Sequence, residues 1–223
     1  MEKLMKWMNE KFAPTLYKIT GSRWISSIMG GFQKYMPVLI TGALFQIVGN
    51  LMPLIAPNLA LPFNVMYDLT FGLLALFLAY TIAHSIAQHH NINPLTTGLF
   101  AMSVFLILQK PAYTENGSIQ IELARLGSSG LFVAIISALF VGEVIGLFQN
   151  KKWTLSSDDL PDFVKDWFAP IVPGLIIIAL AWVVSYVLGI DIHNMIAKII
   201  TPLMSTADTL PGFVGTAFFL TIL

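Results

Sequence analysis

Few residues in this sequence have the capacity for chemistry. Its histidines are His84, His89, His90 and His193, and it holds no cysteine. His89 and His90 are adjacent, so on a helix they point about 100° apart and cannot chelate one ion together. No metal site is expected. Without cysteine there is no thiolate nucleophile and no disulfide framework. The phosphate-cradling G-x-x-x-x-G-K loop, the dinucleotide turn G-x-G-x-x-G and the nucleophile elbow G-x-S-x-G are all missing. Neither an autonomous catalytic residue nor a cofactor is therefore expected, which leaves recognition by isolated polar groups. Glu143 stands inside the apolar run LFVAIISALFVGEVIGLF, where an acid tends to face a cavity, a partner or water. His84 and Gln88 lie one helical turn apart with Asn91 just beyond, either as a polar helix end satisfied by its surroundings or as the lining of a polar path. Glu143, His84 and Asn91 are the candidate substrate-binding residues. Gly142 and Gly146 flank the acid at a spacing that permits close helix contact, within the chain or in a dimer.

The elements that position these groups are membrane helices. The chain is 56% hydrophobic and 11% charged, against roughly 25% charged residues in soluble domains. The formal net charge is zero, so the basic face that nucleic-acid binding requires is absent. At the N-terminus, MEKLMKWMNEKFAPTLYK lacks the apolar core and small-residue cleavage site of a signal peptide and is expected to be retained.

Periodicity divides the chain as follows. Residues 1–24 hold an amphipathic interfacial helix, with Leu4, Trp7, Met8, Phe12 and Leu16 on one side. Residues 25–149 hold transmembrane helices one to four. The first spans Ile25 to Leu51, with Lys34 near its start able to snorkel to the headgroups. Pro53, Pro57 and Pro62 then make a loop, and spans follow from Leu69 to Ala87, from Leu95 to Leu108 and after Gly127. Before the fourth span, Asn116-Gly117 beside alternating Ile119 and Ile121 reads as a small β-hairpin. The same Asn116-Gly117-Ser118 matches a glycosylation tripeptide but is more economically a turn. Residues 150–169 form a second interfacial helix, 170–189 a fifth span, 190–209 an amphipathic connector and 210–223 the start of a sixth span. The fold expected is an all-α membrane protein of about five transmembrane helices and part of a sixth, with interfacial helices and an extracellular hairpin. Trp24, Trp153 and Trp167 fall where indoles anchor at membrane interfaces.

Lysine and arginine set the orientation. Lys3, Lys6, Lys11, Lys18 and Arg23 precede the first span, and Lys151, Lys152 and Lys165 follow the fourth. Both groups face the cytoplasm if the N-terminus is inside.

Several separated stretches resemble one family. RWISSIMGGFQKYMPVLITGALFQIVGNLMP from Arg23 to Pro53, with its Gly31-Phe32 and Met36-Pro37 pairs, LGSSGLFVAIISALFVGEV from Leu126 to Val144, and LPDFVKDWFAPIVPG with Leu160, Pro161, Val164, Phe168, Pro173 and Gly174 occur in the order of a known permease. The chain resembles enzyme IIC, the membrane sugar permease of the bacterial phosphoenolpyruvate-dependent phosphotransferase system, in its lactose, cellobiose and diacetylchitobiose branch. Family permeases are about twice as long, so the resemblance implies an N-terminal half that ends inside its sixth span. It would supply interfacial helices, a scaffold and the contact of a homodimer in the bacterial cell membrane, while the sugar-binding groups lie beyond Leu223.

The resemblance also implies transport of a β-linked disaccharide, of the cellobiose or diacetylchitobiose class, to the cytoplasmic face. There a separate IIB phosphoprotein, part of a protein-N(pi)-phosphohistidine–sugar phosphotransferase system, phosphorylates it. Absence of cysteine fits a phosphoryl donor carried on another chain. Two other readings remain at this stage: a non-transporting membrane scaffold, and an ion-driven secondary transporter of another family. The latter normally needs buried ionisable groups, for which Glu143 alone is a good candidate.

Overall fold

The computed structural model describes residues 21–56, 60–151 and 168–207. The expected interfacial helices before Gly21 and across residues 152–167, with Trp153 and Trp167, lie outside the described residues, as does the start of the sixth span.

The described residues form a helical bundle with one small hairpin. Its helices are α1 (Arg23–Ile55), α2 (Ala60–Asp68), α3 (Leu74–His89), α4 (Pro94–Leu108), α5 (Leu123–Leu126), α6 (Leu131–Asn150), α7 (Ile171–Trp182) and α8 (Ile192–Ala207). Three helical stretches are long and apolar enough to cross a membrane: Arg23–Ile55, Phe63–His89 and Ser128–Asn150. A fourth is available if Ile171–Val187 and Ile192–Ile200, bent by 79°, count as one broken span. The expected third span, α4, has 15 residues. At 1.5 Å per residue it reaches about 22 Å, short of a hydrocarbon core of about 30 Å.

Two sequence expectations change in α1. Pro53 does not open a loop, because α1 continues through it to Ile55 and closes with Ala56 N–H on the Met52 carbonyl at 2.7 Å. In an apolar medium an unwound backbone would leave several groups unpaired, whereas a proline in a last turn forfeits one bond. The path expected of Lys34 along α1 changes as well. Its ammonium crosses to α3.

α3 is the central element, packed by α1, α4 and α6. Ala75, Ala79, Ala83 and Ala87 recur every fourth residue and are completely buried, as are Leu78, Ile82 and Ile86. Where lipid tails are as apolar as the core, association depends on close packing, and small side chains let neighbours approach. At Gly31 of α1, a Cβ would sit 2.9 Å from the Ile82 backbone. Tyr35, almost fully buried, stacks on Phe77 at 5.5 Å and donates its hydroxyl to the Thr70 carbonyl at 2.8 Å. That bond holds the 3-10 turn Phe71–Leu73, through which α2 passes into α3.

The α3–α4 connection is dictated locally. Asn91 adopts the left-handed conformation, with φ 55°. The Asn91 N–H bonds the Gln88 carbonyl at 3.3 Å, and the Ile92 N–H bonds that of Ala87 at 3.1 Å. These are the paired closures of a Schellman turn. Asn93 then caps α4, accepting from the Leu95 and Thr96 amides at 3.1 and 3.3 Å, with Pro94 in the first turn. Asn93→Ala is expected to lower stability by about 1 kcal/mol, measured as a shift in thermal unfolding of the detergent-solubilised protein. An unchanged melt would show that the cap contributes nothing.

The hairpin pairs β1 (Ala112–Tyr113) with β2 (Ile119–Gln120), antiparallel, Ala112 opposite Gln120 and Tyr113 opposite Ile119. Gly117 has φ +75° while Asn116 keeps a negative φ. The turn therefore closes as a longer loop with a left-handed glycine, not as a two-residue primed turn. The Gly117 amide donates to the Thr114 carbonyl at 2.9 Å, and the Thr114 amide donates to that of Ser118 at the same distance.

Candidate functional site

At the C-terminal end of α3, polar groups from the start of α1 and the end of α3 converge on Glu143 of α6. One carboxylate oxygen accepts from the Trp24 indole at 2.6 Å and lies 3.2 Å from Nε of Arg23. The other lies 3.0 Å from Nε2 of His90, itself almost buried. Both oxygens are thus engaged, and the start of α1, the end of α3 and the middle of α6 are tied together. Gly142 and Gly146 face the same contact from inside the chain. A Cβ on Gly142 would overlap Cγ2 of Ile86, and one on Gly146 would stand 2.7 Å from Cγ of His90. Small residues are needed here so that α3 approaches closely enough for His90 to reach the acid.

One face away, α1 and α3 share a second polar cluster. Nζ of Lys34 lies 2.9 Å from Nδ1 of His84, 2.9 Å from Oγ of Ser85 and 3.0 Å from Oε1 of Gln88. Ser26, Gly30, Gln33, Lys34, Ser85, Gln88 and His89 line a groove of about 430 Å³ beside it. Gly30 opens the approach, since a Cβ there would meet Oγ of Ser85 at 3.2 Å. His84 touches Lys34 beside this groove but is not among the residues that line it. Asn91 is exposed in the left-handed turn, outside that lining.

A third cluster, at the hairpin end of the bundle, has no counterpart in the sequence-based candidates. Arg125 reaches Asp191 from both terminal nitrogens, each at 3.3 Å, and donates to the Gln109 carbonyl at 3.3 Å. Glu122 lies 3.5 Å from Nε of Arg125. Asp191 also accepts from the Asn194 amide at 3.0 Å and so caps the start of α8. It sits in the break after α7, whose end passes through a π-turn, Val183–Val187, and then Gly189 at φ +69°. Tyr186 donates to the Pro111 carbonyl at 2.8 Å and Lys110 to that of Gly189 at 3.2 Å, fastening the bend to the hairpin. Nothing local in the sequence pairs Arg125 with Asp191. The available signal was the scarcity of charge, since in so apolar a chain a charged residue calls for a partner.

Asp191 lies outside the spanning helices. Burial alone would raise its carboxyl, but the Asn194 amide and then the Arg125 guanidinium outweigh it and hold it below the usual value of 3.8. A depressed carboxyl stabilises the fold above its unfolded value and loses that contribution as pH falls through the folded value. The Arg125–Asp191 pair is therefore intact at neutral pH, and its contribution is lost only below the ordinary value of 3.8, as pH falls through the lowered folded value. Thermal unfolding of the wild type should fall more steeply from pH 5 to pH 3 than that of Asp191→Asn. Parallel profiles would show that Asp191 does not carry the effect.

Between α4 and α7, Thr96, Leu99, Phe100, Ser103, Pro170, Ile171 and Ile178 line a mainly apolar crevice of about 350 Å³. Gly174 lies against the Phe100 ring there. Among the described residues no group of three or more acidic or histidine side chains is placed to hold a metal ion.

These helices and clusters have recognisable relatives. Over 95% of its length the chain is 28% identical to the putative permease IIC component YwbA of Bacillus subtilis (strain 168), covering 53% of that protein. It is 26% identical over 92% of its length to the cellobiose-specific EIIC component of Geobacillus stearothermophilus, covering 51% of it. The fold is similar to the crystal structure of the transporter ChbC, the IIC component from the N,N'-diacetylchitobiose-specific phosphotransferase system. That match has a TM-score of 0.80 at 24% identity and covers 93% of this chain and 54% of that one. The chain spans about half the length of the curated relatives it matches. The family model described as phosphotransferase system, EIIC, matches residues 29–223, and the chain belongs to that family.

Proposed function

We propose that this chain is the scaffold and dimer-forming half of a permease that carries a β-linked disaccharide, of the cellobiose or diacetylchitobiose class, across the bacterial cell membrane. A IIB phosphoprotein would phosphorylate the sugar on the cytoplasmic side. The observation that carries this reading is the family match across residues 29–223. The sugar class is supported by the specificities named for two similar proteins, one for cellobiose and one for diacetylchitobiose.

In this reading the N-terminus and the Glu143 end face the cytoplasm and the hairpin faces outside. Lysine and arginine near the helix ends support that orientation. Glu143 and Asn91 then serve the scaffold, one joining three helices and the other closing the α3–α4 turn. Trp24 places a half-exposed ring at the inner interface, and Trp153 and Trp167 are proposed as anchors on the same side. The engagement of Glu143 by Arg23, Trp24 and His90 argues against its use as the free carboxylate of an ion-driven transporter.

The test is phosphoenolpyruvate-dependent phosphorylation of labelled cellobiose, diacetylchitobiose and lactose. Membranes from the source strain, with and without the gene encoding this chain, would be supplemented with soluble extract. Loss of sugar phosphate formation for one β-linked disaccharide on deletion is expected. Unchanged phosphorylation of all three would overturn the permease reading and favour a non-transporting scaffold.

A further inference from the structure

Lys34 presents a charge problem that the described residues do not solve. It stands 11 positions after Arg23, the first residue of α1, in a helix whose neighbouring surface is apolar and exposed at Met29, Met36, Ile40 and Leu44. No carboxylate among the described residues lies within ion-pair reach of its ammonium. Its three partners, His84, Ser85 and Gln88, are neutral acceptors. They solvate the cation without cancelling it, and an uncompensated charge on an apolar spanning helix calls for an anionic partner.

The same contacts determine what the partners offer to anything that approaches. Because His84 accepts through Nδ1, its remaining ring hydrogen is on Nε2, which makes that nitrogen a donor. Because Gln88 accepts through Oε1, its amide NH₂ is left to donate. Ser85 accepts through Oγ and keeps its hydroxyl hydrogen. One buttressed cation thus turns three amphoteric side chains into donors. Ser85 and Gln88 line the groove together with Ser26, Gln33 and His89, and no acidic residue lines it. A cationic centre surrounded by donors is the chemistry of a receptor for a phosphate oxyanion.

We infer that this groove between α1 and α3 receives a phosphate group, delivered on the headgroup of an anionic phospholipid. The lipid source follows from position, since the groove opens beside the exposed apolar side of α1, where an acyl chain would lie. Basic pockets between spanning helices are suited to such headgroups. The inference depends on the chain being embedded in a bilayer and not on which sugar is transported.

Native mass spectrometry of the full 223-residue chain in neutral detergent, with phosphatidylglycerol and phosphatidylcholine of matched acyl chains supplied together, reads the preference. Phosphatidylglycerol should be retained over phosphatidylcholine by about fivefold. The ratio should fall to parity in Lys34→Gln, which removes the cation. It should also fall in Gln33→Glu, which retains Lys34 and supplies a carboxylate to the groove. Parity in the wild-type protein, or a preference that survives in both variants, would overturn the site. Displacement of the lipid by millimolar glucose 6-phosphate would overturn the lipid source and assign the groove to a soluble phosphate ester.

Discussion

Gly142→Val should destabilise the bundle by about 2–3 kcal/mol and lower its melting temperature by about 5–10 °C. A side chain at position 142 enters the space of Ile86 Cγ2, and Ile86 is completely buried. Ile86 is β-branched and stiff at χ1 within a helix, so it cannot swing away cheaply. Relief requires α3 and α6 to separate, which would also pull His90 from Glu143. Phe140→Ala offers the contrast on the same helix, because Phe140 is 47% exposed. Fluorescence-detected size exclusion after heating reads both variants in detergent. A Gly142→Val melt indistinguishable from wild type would refute the close packing of these helices.

The second large effect is expected from Glu143→Ala, at about 2 kcal/mol. The variant removes the acceptor of Trp24 and His90 and the counter-charge of Arg23. Arg23 is about half exposed and the solvent takes up much of its loss. The larger part comes from His90, which is almost buried. Glu143→Gln should fall between wild type and alanine, since an amide oxygen still accepts but carries no charge. Hydrogen exchange locates the damage: the first turns of α1 and the end of α3 should exchange faster, while the middle of α3 stays protected. Uniform acceleration through the bundle would mean that Glu143 stabilises the whole fold and not this junction.

Helices and hairpin were legible because their signals are local. Apolar runs place α1, α3, α4 and α6, and Asn116-Gly117 marks the hairpin. Turn closure was legible in kind but not in role: Asn91 belongs to a string of polar residues that could equally bind a ligand, and only its φ of 55° shows the turn it serves. The clusters were not legible because their members are far apart in sequence. Lys34 meets residues 50 to 54 positions away, and Arg125 meets Asp191 at a separation of 66. Periodicity does not say which faces of two helices meet. Lys34 also illustrates a competing principle. A lysine near a helix start can reach the headgroups, but a neighbouring helix that offers three acceptors at once satisfies every N–H without stretching the side chain.

The alanines of α3 carry a consequence for how this sequence can vary. Ala75, Ala79, Ala83 and Ala87 have no accessible surface and lie within the apolar core. An alanine codon is one nucleotide away from valine, threonine, proline and the acids, all too large or too polar for that seam, and from serine and glycine, which fit. Most missense changes at these codons should be purged, while those at the exposed lipid-facing leucines and isoleucines of α1 drift. The strongest purifying selection on this helix would then fall on its plainest residues.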